Sequence, residues 1–507
     1  MRTVAASVVL LALSLVAAAC GARLNPAQIA ALNSSSSGSS AGGGSGAAAA
    51  GSNGGGASAQ TTAPAAGQSV NTPGGATAGG AKAGGATAGT ASATAASGAG
   101  AGAGSALATQ GLSVDSSVCS GPASGPGVSS SQVDLGTVTT LTGPVPGIFQ
   151  DVVYGVDAFA AYMNSQGGIC GRKLVFDVAD DDLDASQNQT ATASLANSVF
   201  AFVGSFSGVD QGGASVIASD NIPYVAEAIS EQAENDATNF SPTPVPCGLN
   251  LAGYQYLMQK YPNAAQHMAV LSLNQPTDLY ETQCQQEALE SIGYKFVYSD
   301  ENIALTQTDF SSDAQAMKSA GAAGLLFVAT ASYYAEVATA MQNAGLTLQL
   351  PTWDDNAYDP AFIPQAGSGA NGATIVSPVE MYQGQDAGSN PTIALLDKYF
   401  EAVSGGTSPN EYGLWAWMSG MLFIEGLNAG GGLTRADLLK GMSTVTSFTA
   451  GGIQGAANPA AKKPPLCWIV INIVNQKFAR DSGDPSSGMN CPSNQTYGYV
   501  TNVTEQS

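Results

Sequence analysis

The stretch Val133–Asp184, VDLGTVTTLTGPVPGIFQDVVYGVDAFAAYMNSQGGICGRKLVFDVADDDLD, packs a strand, a loop, an amphipathic helix, a glycine turn and a second strand into one continuous run. Val133 to Leu141 is β-rich. Thr142-Gly143-Pro144-Val145-Pro146-Gly147 stops it, because proline lacks an amide donor and glycine takes conformations that a strand does not. Beyond the loop, Val152, Val156, Phe159, Ala160 and Met163 recur at helical spacing and fall on one face, which predicts a helix laid on a sheet. Gly167-Gly168 ends that helix. Arg172 to Ala179 returns as a strand and enters the acidic loop Asp180-Asp181-Asp182-Leu183-Asp184. The order predicts two parallel neighbours joined by a right-handed crossover.

The same alternation continues outward. A polar helix from Ser186 to Asn197 leads to the strand Phe200–Val203, then Gly204-Ser205-Phe206-Ser207-Gly208 opens another helix, and Ile222–Ala226 is a further strand. Ser241-Pro242-Thr243-Pro244-Val245-Pro246-Cys247 breaks the pattern, after which it restarts. Strands are predicted at Met268–Leu273, Lys295–Tyr298 and Gly324–Ala329, and helices at Asp278–Ile292 and Tyr333–Ala344. The fold class is therefore α/β, with two doubly wound, parallel-sheet lobes. In such sheets ligands sit beyond the carboxyl ends of the strands.

A strand, LTGP, a helix ending AAYMNSQGGICGRKL, then a strand and an Asp-rich turn resemble the opening of the type I periplasmic binding proteins, in the leucine/isoleucine/valine-binding family. The resemblance extends as far as Arg480. It implies two lobes around an interlobe cleft, with the chain crossing between them near Leu251, Val376 and Phe448. Residues 131–250 plus 377–448 would form the N-terminal lobe, 251–376 plus 449–481 the C-terminal lobe, and 482–507 a tail or hairpin return.

Upstream, Met1–Cys20 reads as a lipoprotein signal peptide: Arg2 supplies the charge and Val8–Ala19 an apolar segment too short to span a bilayer. Ala17-Ala18-Ala19-Cys20 resembles a bacterial lipobox, departing from it at Ala17, where leucine is usual. Lipidation of Cys20 would hold the protein to the outer face of the cell membrane. Residues 21–130 are mostly Ala, Gly, Ser and Thr, with only Arg23, Lys82 and Asp115 charged. Such a segment cannot bury enough apolar surface to offset its chain entropy, and it reads as a disordered stalk. As a flexible coil it would reach roughly 50–60 Å.

Composition and counting exclude several chemistries. Against 37 acidic side chains stand 15 basic ones, a formal net charge of −22, so no basic footprint exists for nucleic acid. The single histidine, His267, sits just before an apolar strand, where a structural role is expected, and Gly204–Gly208 fails as a nucleophile elbow because Phe206 occupies its centre, so no Ser/His/Asp triad can be assembled. The Asp180–Asp184 turn lacks the glycine and terminal glutamate of a calcium loop. Neither a catalytic residue, a cofactor nor a metal is expected. With Cys20 set aside, Cys119, Cys170, Cys247, Cys284, Cys467 and Cys491 remain, an even number in an exported chain. Of the fifteen possible pairings, the expected one is sequential: 119–170, 247–284 and 467–491.

What the resemblance implies is a monomeric, non-enzymatic solute-binding lipoprotein of an ABC importer, presenting an amino-acid-like or amide ligand to a membrane permease. In leucine-binding relatives hydroxyls and backbone amides of the N-terminal lobe hold the ligand carboxylate, and an acid of the other lobe holds the ammonium. The matching positions are Ser205, Ser207, Gly208, Val209, Ala228 and Ser230 for the former. For the latter they are Asp354 or Asp355, with Tyr280, Tyr333, Tyr334 and Tyr412 as walls. A sensor lipoprotein without a permease, and a structural or adhesive surface lipoprotein, are the alternatives.

Overall fold

The computed structural model describes residues 110–505, all within the compact unit Ala99–Ser507. Cys20, the signal segment and residues 21–109 of the expected stalk lie outside the described residues; residues 110–130 depart from that expectation, because Leu112 and Val118 pack into the core and Cys119, in the helix Ser116–Ser120, is paired with Cys170. Four strands, β1 (Gln132–Thr139), β2 (Lys173–Asp180), β3 (Phe202–Val203) and β4 (Tyr224–Val225), form a parallel sheet in the order β2-β1-β3-β4. β1 and β2 pair along their whole length, from Gln132 against Lys173 to Thr139 against Asp180. The helix between them, Gln150–Ser165, buries Val152, Val156, Phe159 and Met163. It stops where Gly167 and Gly168 turn left-handed, with φ of 99° and 71°. A Cβ at Gly168 would lie 2.0 Å from the carbonyl oxygen of Arg172, so only glycine fits.

After β5 (Gly248–Asn250) a second sheet forms from β6 (Met268–Leu273), β7 (Phe296–Ile303), β8 (Gly324–Val328), β9 (Leu350–Trp353), β10 (Thr374–Ser377), β11 (Ile469–Ile473) and β12 (Phe478–Arg480). Its order is β12-β11-β10-β9-β8-β6-β7. It is parallel from β7 to β10 and antiparallel at β11 and β12. Between β10 and β11 the chain returns to the first sheet, placing the helices Pro391–Ser404 and Glu411–Gly430 against Gln150–Ser165. The latter is buried nearly all round. It approaches so closely that a Cβ on Gly155 would meet the carbonyl oxygen of Gly413 at 2.3 Å. Finally β13 (Tyr497–Tyr499) pairs antiparallel with β5, and the Glu231 amide donates to the Glu505 carboxylate at 2.8 Å.

The six cysteines stand at bonding distance as Cys119–Cys170, Cys247–Cys284 and Cys467–Cys491. This is the sequential pairing expected. The loops closed span 51, 37 and 24 residues, and on the chain-entropy model each link contributes roughly 3–4 kcal/mol. No helix of the described residues is long and apolar enough to cross a membrane.

Candidate functional site

The carboxyl ends of β1, β3 and β4 face those of β6, β8 and β9 across a cleft enclosing about 770 Å³, its open mouth included. From the first sheet come Phe149, Phe206, Gly208 and Ile229; from the second come Asp278, Glu281, Thr330, Tyr333 and Asp355; the long helix adds Tyr412 and Trp415. A second chamber of about 840 Å³, its opening to solvent included, is lined by Tyr254, Tyr280, Gln285, Asp354, Trp468 and Tyr497 and shares Ile229, Val245, Glu281 and Asp355 with the first. The two chambers therefore meet at an apolar pair and an acidic pair.

One wall of the first chamber is a packed aromatic group. Phe206 lies 4.8 Å from Phe149 and from Tyr412, centroid to centroid, and stacks on Trp415 at 5.3 Å. Such faces carry negative potential and suit a cation or a flat apolar group. The opposite wall is acidic. Asp278 opens the helix Pro276–Ser291 and Glu281 follows one turn later on the same face. Among the described residues no lysine, arginine or histidine lines either chamber.

These carboxyls are poorly compensated. Burial alone pushes Asp278 up to about 7, although the side chain keeps some surface, which faces the cavity. Burial, then the charges of Asp355 and Asp278, push Glu281 up to about 8; its one side-chain donor is Gln285 Nε2, at 3.2 Å. Behind them Glu411, 2% exposed, has no hydrogen-bond donor on either carboxyl oxygen. It faces Asp355, and burial followed by that neighbour raises it well above the usual carboxylate range. Two carboxylates are both acceptors and bond only by sharing a proton. Asp354 is raised in the same way, by burial first and Asp355 next, while Asn356 Nδ2 donates to it at 3.1 Å.

The expected residues divide. Gly208, Tyr333, Asp355 and Tyr412 line the first chamber and Tyr280, Asp354 and Asp355 the second. Tyr334 is core instead: fully buried, it bonds Ala329 through its hydroxyl and packs on Phe327, Trp353 and Phe362. The hydroxyls are engaged elsewhere. Ser205 Oγ accepts from the Val138 amide at 3.0 Å. Ser207 donates to Asp181 and accepts from the Val209 amide. Ser230 caps the helix Glu231–Asn235, accepting from Ala233 at 3.2 Å. Ala228 is packed with Ala214 and Ala233.

The helix expected at Gly208 begins at Gln211. The residue before it, Asp210, turns its carboxylate onto the amides of Ile229 at 2.9 Å and Ser230 at 3.2 Å. Burial pushes Asp210 up to about 6 despite these bonds. The acidic turn is likewise consumed internally: Asp180 accepts from the amides of Leu141 and Thr142, and buried Asp181 from Thr140 and Asn188. Asp278, Glu281 and Glu411 were missed by the sequence reading. The signal for the first two was available, since Asp278-x-x-Glu281 follows the carboxyl end of a predicted strand.

With two lobes of parallel strands facing each other across this cleft, the comparisons fall into place. The periplasmic binding protein family model matches residues 132–477, more than half of the chain. This chain is a type I periplasmic binding protein. A fatty acid ABC transporter substrate-binding protein from Thermomonospora curvata superposes with a TM-score of 0.61 at 18% identity, covering 71% of this chain and 93% of that one. A leucine binding protein from Thermotoga maritima gives 0.57 at 14%, over 69% and 98%. An extracellular ligand-binding receptor from Rhodopseudomonas palustris gives 0.57 at 18%, over 70% and 100%. At such identities the likeness is one of fold. A search of curated proteins returns no match. The family is one of extracytoplasmic solute binders, so the type I assignment makes the interlobe cleft of this binding protein its candidate site.

Proposed function

We propose that this binding protein is the solute-capturing lipoprotein of an ABC importer, held to the membrane through Cys20 and presenting a small solute to a permease. Residues 131–250 with 377–448, and 251–376 with 449–481, act as the two closing lobes. The observation that carries the reading is the cleft itself, built from the strand ends of both sheets and walled by aromatic and acidic side chains. Of the amino-acid-like and amide solutes that the sequence resemblance implies, such walls favour those bearing a protonated amine.

A thermal-shift screen against a solute library tests capture, because a ligand at 100 times its Kd stabilises the fold by about 2.7 kcal/mol. Absence of any stabilising solute across amino acids, amides, amines, sugars and organic acids would reject it. Cys20→Ala should release the protein into the medium; retention on the membrane would reject the lipid anchor.

A further inference from the structure

Three independent features of the cleft bear on what its ligand must carry. The first is charge: Asp278 in the first chamber, Asp354 in the second, and Glu281 and Asp355 at their junction, with no basic side chain among the described residues lining either. The second is a pair of orphaned acceptors. Gln285, 5% exposed in the second chamber, gives its NH₂ to Glu281, and its Oε1 has no donor. Asn356, in the first chamber, gives its NH₂ to Asp354, and its Oδ1 has none. In both amides the carboxylate fixes which end is the oxygen. The third is that the amides of Ile229 and Ser230 already hold an anion, the carboxylate of Asp210.

A ligand carboxylate thus meets four carboxyls, two amide oxygens and no countercharge, whereas an ammonium meets what each of those groups lacks. The indole N–H groups of Trp415 and Trp468 are also unpartnered. As neutral donors they can serve a ligand hydroxyl, but they cannot balance the acids. We infer that the cleft takes an elongated organic cation without a carboxylate, of the linear diamine and polyamine class. One ammonium sits by Asp278 in the first chamber and another by Asp354 in the second, with Glu281 and Asp355 between them, and the methylene chain lies along Ile229 and Val245, which line both chambers. The inference rests on the solute-capture reading and narrows it to one chemical class.

Calorimetry on the full chain at pH 7.5, with 1,4-diaminobutane, spermidine, leucine and hexanoate, tests this. At least one of the two amines should bind tenfold or more tighter than leucine and hexanoate. Asp278→Asn and Glu281→Gln should each weaken amine binding at least tenfold while raising the melting temperature of the unliganded protein. A merely structural role for these acids would lower it. Leucine or hexanoate binding as tightly as the amines would overturn the inference and leave solute capture standing. So would silence from all four compounds alongside a hit elsewhere in the library. Unchanged amine affinity in both variants would overturn it as well.

Discussion

The carboxylate of Asp210 accepts the amide of Ile229 at 2.9 Å and, through its other oxygen, that of Ser230 at 3.2 Å. These amides stand at the end of β4, where the first lobe of a leucine-binding relative would be expected to meet a ligand carboxylate. The protein therefore carries its own anion at that position. Removing it should leave the buried Ser230 amide unpaired, at a cost of about 1–3 kcal/mol, and the half-buried Ile229 amide dependent on water from the cleft. Asp210→Ala is accordingly expected to melt earlier, and acetate or formate should restore part of the loss in the variant while leaving the parent unaffected. Equal insensitivity of variant and parent to these anions would show that the amides find another partner.

How far this could be foreseen differs between fold and site. The strands β1, β2, β6 and β8 were legible because their apolar runs are bounded by glycine and proline, which act locally. The helix Glu411–Gly430 was not read as an element: it is apolar on every side, so it offers no periodicity, and its placement depends on glycine contacts such as Gly155 with Gly413. At the site, Asp355 and Tyr333 were reachable because they follow strand ends. The use of Ser207 as a partner of Asp181, and of Asp210 as a partner of Ile229, is a matter of side-chain direction across loops far apart in sequence. No local pattern encodes it.

The disulfide Cys247–Cys284 ties the connection entering β5 to the helix that carries Asp278 and Glu281. Cys247→Ser with Cys284→Ser should therefore lower stability by roughly 3–4 kcal/mol and also weaken ligand binding through the displaced helix. Peptide mapping without reductant, followed by denaturant unfolding of the variant, checks both parts. A free thiol at either position in the parent would refute the pairing.

Stability should fall as pH rises from 5 to 8 in the unliganded protein. Asp278 and Glu281 have folded values raised to about 7 and about 8, from ordinary values of 3.8 and 4.5. Between those limits the folded state holds protons that the unfolded chain has released, so their contribution is complete at low pH and is lost on the way up. Asp481 has the opposite sign: hydrogen bonds from Lys260 and Tyr256 overcome burial and hold it down at about 2. Its contribution is lost only below pH 4, outside this window. Melting temperatures measured at half-unit steps should decline across the window, and Asp278→Asn should flatten the decline. A flat or rising profile in the parent would contradict the assignment.

Asp355 is the acid on which the two chambers converge, and its neighbours Asp354, Glu411 and Glu281 are all acidic. A cation bound where the chambers meet would relieve that crowding. Asp355→Ala should raise the melting temperature of the unliganded form, since three buried carboxyls lose a repelling neighbour, and should weaken binding of the cationic ligand at least tenfold, about 1.4 kcal/mol. Asp354→Ala should cost less binding, because Asn356 already satisfies one of its oxygens and it lines only the second chamber. Calorimetry on both variants with the best-binding amine, together with melting curves without ligand, distinguishes these effects. A loss of stability and of affinity in parallel would mark Asp355 as a structural residue and remove it from the site.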